Sequence, residues 1–278
     1  MESTVELNLL ELLHYLPKRA FNAHKGNFGH VLVVGGDFGY PGAPVLAALG
    51  SLRVGAGLVS IASHKDNLNG INAVHPEIMC HAIDDPNSLT PLLTKATVIV
   101  LGPGLGRTDW SKQIYKLIAS TTLPLVLDAD GLFFLSQNPT KNTQRVLTPH
   151  PGEAATLLAQ PTPSEDQRIK ALQDLITKYA STVVLKGAGT LVGSISTEIG
   201  VCHSGNPGMA SGGMGDLLSG IIGGLIAQKV DLDIAAKLGV CIHARAGDIA
   251  AIDGERGIIA SDLLLPIKQV CNSVQINQ

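Results

Sequence analysis

At 278 residues, with 45% hydrophobic and only 15% charged side chains, the chain is long enough for one large α/β core and too sparsely charged for an all-helical polar surface. A net charge of −3 and 4% aromatic content argue against nucleic acid as a partner, which needs a basic field and stacking rings. The four cysteines (Cys80, Cys202, Cys241 and Cys271) are scattered without a Cys-x-x-Cys pair, so neither a disulfide frame nor a zinc site is indicated.

In chain order, the acidic start lacks the apolar stretch of a signal peptide. The longest uncharged apolar run, 217–227, is too short to span a bilayer, so a soluble cytoplasmic protein is expected. The polar lead 24–29 is open between a phosphate contact and a plain loop. Apolar runs at 30–34, 58–62, 96–101, 123–127 and 182–185 read as buried strands. Most of them lead into glycine or charged residues: Gly35-Gly36-Asp37, Gly102-Pro-Gly-Leu-Gly106, Asp128-Ala-Asp130 and Lys186-Gly-Ala-Gly189. Helices are expected at 43–54, 110–120, 164–179, 215–228 and 233–251, the third opened by Ser164. Alternating strands and helices predict an α/β fold with a mostly parallel central sheet and helices on both faces. The chain 1–278 is expected to form a single domain, with 1–23 as a lead segment. Ligands in such sheets sit beyond the carboxyl ends of the strands.

The stretch Asn206-Pro-Gly-Met-Ala-Ser-Gly-Gly-Met-Gly-Asp216 carries the sharpest chemical signal. Gly212, Gly213, Met214 and Gly215 are expected to form an anion loop. Glycines let backbone N–H groups approach an anion, and a helix start adds its own free N–H groups. A lone carboxylate there repels phosphate unless it takes a proton from a nucleophile that attacks phosphorus. That combination points to phosphoryl transfer onto a hydroxyl group, with Asp216 as the base. Lys186 could meet a phosphate, and Gly187, Ala188, Gly189 and Thr190 could lie against an adenine or ribose; the alternative is a strand-ending turn. The segment lacks P-loop spacing, and Gly102-Pro-Gly-Leu-Gly106 is no dinucleotide fingerprint. In Thr148-Pro-His-Pro-Gly-Glu153 the prolines are expected to forbid a regular helix and stiffen a loop. His150 there is open between substrate contact and structure, and Glu153 could help hold magnesium through water. Asp130 leans to a structural part, and Asp128 is open.

With these residues in hand, the chain resembles the ADP- or ATP-dependent NAD(P)H-hydrate dehydratases of the ribokinase-like superfamily. The motifs just named carry the likeness, with His24-Lys-Gly, Pro41-Gly-Ala43, His243-Ala-Arg-Ala-Gly-Asp248 and Gly254-Glu-Arg-Gly257, over about 24–265. The resemblance implies a repair enzyme that dehydrates the S form of hydrated NADH or NADPH, releasing AMP and phosphate from ADP, with Mg2+ assisting. By motif position, Ala43, Gly106, His150 and Asp216 would contact the hydrated dinucleotide. Lys186 to Thr190, with Gly215, would contact the adenine nucleotide, and Glu153 falls at a magnesium-linked position. Asp37 stands where many relatives are expected to have serine. The resemblance also implies an epimerase partner on a separate chain and a homotetramer. A small-molecule kinase of the hydroxyethylthiazole or hydroxymethylpyrimidine type would share the glycine loop and aspartate. A non-catalytic NAD-sensing protein would need neither.

Overall fold

A computed structural model describes residues 4–273. Its strands are β1 (Val5–Glu6), β2 (His30–Val34), β3 (Leu58–Ser63), β4 (Met79–Ala82), β5 (Val98–Leu101), β6 (Leu125–Leu127), β7 (Arg145–Leu147), β8 (Thr182–Leu185), β9 (Thr190–Ser194) and β10 (Thr197–Cys202). They form one sheet in the order β1-β10-β9-β8-β7-β6-β5-β2-β3-β4. Among the described residues β9 alone runs against the rest, in a β8-β9-β10 meander. The remaining pairs are parallel, so helical crossovers cover both faces. Alternation along β2 shows it: Val31 and Val33 enter one core layer, Leu32 and Val34 the other. None of the described helices is long and apolar enough to cross a membrane.

The Met214–Ala227 helix is apolar all round because it is buried on nearly every side. It packs against the Gly42–Arg53 helix at a distance that only glycine permits. A Cβ on Gly220 would lie 1.8 Å from the Ala47 carbonyl oxygen, and one on Gly224 would lie 2.7 Å from that of Ser51. The buried Ser51 hydroxyl closes the seam by donating to the Gly220 carbonyl at 2.8 Å. Gly220→Ala is therefore expected to lower stability by about 2–4 kcal/mol, since neither backbone can yield. Urea unfolding with an unchanged m value measures this; a loss under about 0.5 kcal/mol would show that the helices part easily.

The five expected strands and five expected helices all form, with ends shifted by no more than two residues except where 3-10 turns lead the Arg168–Tyr179 helix. One expected loop is overturned. The segment after Thr148 is no stiff loop: Pro151 is the first residue of a Pro151–Leu158 helix, where its missing N–H costs nothing. His150 is the N-cap, and Glu153 closes a capping box by accepting from the His150 N–H at 2.7 Å. The lead segment, expected only as a lead, adds edge strand β1 and a Leu9–Leu13 helix that buries Leu12 and Leu13.

Candidate active site

Loops leaving the carboxyl ends of β2, β5, β6, β7 and β8 interlock at one rim. The Gly36 N–H donates to the Pro103 carbonyl at 3.0 Å and that of Asp37 to Gly104 at 2.7 Å. The Lys186 N–H donates to the Pro149 carbonyl at 2.9 Å. Gly102, at φ +129°, lets the next turn pass: a Cβ there would lie 1.8 Å from the Asp128 carbonyl oxygen. That close approach fixes Asp128, whose side chain is buried, at the centre of the rim.

Gly213, at φ +89°, is the N-cap of the Met214–Ala227 helix, which puts Asp216 in its first turn. A Cβ on Gly213 would lie 2.4 Å from Leu46 Cδ1, so the position admits little else. The first-turn N–H groups of Met214, Gly215 and Asp216 have no acceptor within the helix and favour an anion. The Met214 side chain is itself buried, so that residue offers only its backbone. Gly212 departs from its expected place in the anion loop. It is exposed and stands one residue before the N-cap, outside the first turn that supplies the free N–H groups. A Cβ there would meet nothing within 4 Å, so no close approach calls for glycine at that position. Sequence reasoning placed Gly212 with its neighbours because the glycines run together, whereas the helix start falls after Gly213.

Lys186 joins three carboxylates. Its Nζ donates to Asp128 Oδ1 at 2.8 Å and lies 3.7 Å from Glu153 Oε2. It would be only 3.2 Å from a Cβ on Gly215, so the ammonium lies against the helix start. Burial pulls the Lys186 ammonium down, yet Asp128 and Glu153 outweigh it and hold its pKa above the usual range. Glu153 is raised, by burial first and against the pull of Lys186. Asp216 is pushed up to about 7, by burial first and then by the Asp128 charge, with Lys186 opposing. One cation cannot neutralise three carboxylates, so Asp216 becomes a base poised near neutrality.

A cavity of about 540 Å³ opens beside this cluster, walled by the 186–190 hairpin tip, the Gly205-Asn206-Pro207 loop, Gly215 and His243. The polar groups that shape it escaped sequence reasoning in their roles. Buried Arg168 donates to the carbonyls of Ala188, Gly189 and Leu185, clamping the tip from behind. Asp248 accepts from the Gly205 N–H at 3.1 Å and from Asn206 Nδ2 at 3.3 Å, holding the opposite wall. The His-Ala-Arg-Ala-Gly-Asp motif signalled Asp248; nothing near Arg168 in the sequence signals a clamp. His243 is buried with Nε2 unpartnered, and burial, then Lys186, lowers its pKa to about 4, so it is neutral.

The other predicted residues lie along the same rim. Ala43 Cβ is 3.2 Å from where a Cβ on Gly104 would fall. The Gly106 N–H donates to Asp130 Oδ2 at 3.0 Å, and Asp130 also pairs with Arg107 at 2.9 Å, so Asp130 is structural. Asp37 accepts from the Thr108 hydroxyl at 2.9 Å and braces the turn at Gly106. His150 is exposed, its Nδ1 accepting from the Gly152 N–H at 3.0 Å and its Nε2 3.6 Å from Glu153 Oε1. Among the described residues no group of three or more His, Cys, Asp or Glu side chains is placed to hold a metal ion unaided. The carboxylate oxygens nonetheless suit magnesium, which keeps waters and phosphate oxygens and takes one or two protein carboxylates.

A family described as NAD(P)H-hydrate dehydratase matches residues 31–269. The chain is 50% identical over 259 residues to the bifunctional NAD(P)H-hydrate repair enzyme Nnr of Coxiella burnetii, covering 92% of this chain and 53% of that one. It thus spans about half the length of the curated bifunctional relatives it matches. It is 41% identical over 248 residues to the ADP-dependent (S)-NAD(P)H-hydrate dehydratase of Neisseria meningitidis, covering 86% and 83% of the two chains. Among solved structures, the ADP/ATP-dependent NAD(P)H-hydrate dehydratase of Bacillus subtilis, co-crystallised with ATP/Mg2+, superposes with a TM-score of 0.84 at 24% identity, covering 98% and 99% of the two chains. A ribokinase-like superfamily protein of Enterococcus faecalis superposes with a TM-score of 0.89 at 30% identity, covering 97% and 96% of the two chains, so the fold is ribokinase-like.

Proposed function

The chain belongs to the NAD(P)H-hydrate dehydratase family, and from that premise we propose that it restores hydrated NADH and NADPH, S form, with ADP as the phosphoryl donor. The observation that carries the reading is Asp216, a carboxyl pushed up to about 7 at a helix start, beside a lysine and a cavity walled by a glycine hairpin. Hydroxide is a poor leaving group from the hydrated ring and phosphate a much better one. Asp216 takes the proton of the C6 hydroxyl as that oxygen bonds to the terminal phosphorus of ADP. The bond from that phosphorus to the bridging oxygen breaks, and AMP leaves. The first-turn N–H groups from Met214 to Asp216 and the Lys186 ammonium steady the charge on the moving group. The ring nitrogen lone pair then expels phosphate from C6, C5 gives up a proton, and the dihydropyridine is restored.

Ala43, Gly106 and His150 line the dinucleotide side in this reading, and Lys186 to Thr190 with Gly215 the nucleotide side. Glu153 would hold magnesium through water, and the ion would supply neutralisation of phosphate oxygens. A homotetramer in the cytoplasm, with an epimerase as functional partner and 1–278 folding as one domain, belongs to the same proposal.

Mixing the protein with hydrated NADH, Mg2+ and ADP is expected to regain the absorbance of the reduced ring, with one phosphate and one AMP released per turnover. A stable phosphate ester in place of free phosphate would identify a kinase of the same fold. Binding without AMP release would identify a sensor.

A further inference from the structure

The turn that carries β2 into the Gly42–Arg53 helix exposes two aromatic rings beside the proposed dinucleotide contacts. Phe38 is 69% and Tyr40 64% exposed, unusual for large rings on a rigid backbone. The backbone is indeed fixed. The Tyr40 N–H donates to the Asp37 carbonyl at 2.9 Å, and the Phe38 N–H to Asp37 Oδ1 at 2.7 Å. Buried Asn67 donates to the Asp37 carbonyl at 3.0 Å. Gly39 between the rings sits at φ +85° with open space around it. Phe38 is held edge-on by His64, ring centres 6.2 Å apart, and His64 by Trp110 at 5.9 Å. Trp110 is anchored in turn, donating from Nε1 to the Ile83 carbonyl at 2.7 Å. Edge contacts of this kind orient a ring while leaving its face free.

We propose that Phe38, with Tyr40, forms a preformed stacking platform for the adenine base of the hydrated dinucleotide; the inference rests on the function proposed above. Three facts select that end of the molecule. The reacting ring must reach Asp216, which sits among the charges of Asp128, Glu153 and Lys186. The hydrated ring is saturated at C5 and C6 and so is no longer a flat π-system, whereas adenine is. The platform adjoins Gly104 and Gly106: the Tyr40 carbonyl would be 2.9 Å from a Cβ on Gly104, and Asp37 touches the position of one on Gly106. Stacking on a fixed ring costs little ordering and adds affinity without touching the chemical step.

The test compares hydrated NADH with hydrated reduced nicotinamide mononucleotide, which lacks the adenosine half. Phe38→Ala is expected to raise KM for hydrated NADH about tenfold, with kcat within about twofold, and to leave KM for the mononucleotide unchanged. Phe38→Tyr is expected to keep the parent KM for both. Equal loss on the two substrates, or no loss on either, overturns the platform. So does a change of oligomeric state by light scattering with KM kept, because the rings would then be covered by a second copy. If the parent protein turns over neither substrate, the proposed function fails instead. Calorimetric binding of NADH against reduced nicotinamide mononucleotide then decides the platform alone. An affinity loss of about tenfold confined to NADH supports it, and unchanged binding of both rejects it.

Discussion

Asp216→Asn is expected to lower kcat about a thousandfold while ADP binds within about threefold of the parent affinity, because the amide keeps the shape of the site but accepts no proton. Rapid-quench detection of AMP isolates the phosphoryl step. The parent enzyme should gain rate as pH rises through about 7, where Asp216 loses its proton, and level off above it. Stability moves the other way. A carboxyl raised from 3.8 to about 7 favours the folded state while it keeps its proton, and that preference is lost as pH rises through about 7. Asp216→Asn should therefore match the parent in stability near pH 3 and exceed it above pH 7, by about 4 kcal/mol. Turnover close to the parent rate would remove Asp216 from the chemistry.

Lys186→Met is expected to cost about a hundredfold or more in kcat/KM for ADP, since it removes the fixed ammonium beside the helix start. It also leaves Asp128 buried without its 2.8 Å partner. The more specific expectation concerns pH. Lys186 is the group that holds the Asp216 pKa down against burial and two neighbouring carboxylates. Without it, the rising limb of the kcat profile should move to higher pH, while Lys186→Arg should leave the limb near its parent position. Initial rates across pH 6 to 9 distinguish the variants. A limb that stays put in Lys186→Met would show that Asp216 does not sense this ammonium.

Much of the order of strands and helices was legible because most of the buried strands announce themselves as apolar runs closed by glycine or charge, as at His30–Val34 before Gly35-Gly36. Strand β7 was not, since Arg145-Val-Leu147 is three residues opening on a buried arginine. Strands β9 and β10 were hidden by Gly193, Gly200 and their hydroxyl-bearing ends, and by pairing that depends on the sheet rather than on local pattern. Asp216 and Lys186 could be singled out in the sequence because glycine crowds both. The same crowding drew in Gly212, which the exposed turn before the helix leaves outside the row of free N–H groups. The convergence of Asp216 and Lys186 with Asp128 and Glu153 is set by crossovers that bring β6, β7 and β8 side by side, which no local spacing encodes. The error at His150-Pro-Gly-Glu153 has a plain cause: proline breaks a helix within but opens one at its first residue. Arg168 stayed invisible because it acts through three backbone carbonyls of a distant hairpin.

The reversal of β9 has an evolutionary consequence. By folding back at 186–190, the chain draws every lining residue of the cavity proposed for the donor from position 186 onward, whereas the contacts proposed for the dinucleotide, Asp216 apart, come earlier, at Ala43, Gly106 and His150. In the proposed reading, donor and acceptor contacts thus lie largely on separate stretches of gene, which meet at the charged cluster, at the Lys186 N–H on the Pro149 carbonyl and along the seam of the Gly42–Arg53 and Met214–Ala227 helices. Drift or recombination in one stretch can retune the choice of nucleoside phosphate without rewriting what receives the phosphoryl group, and the converse holds equally.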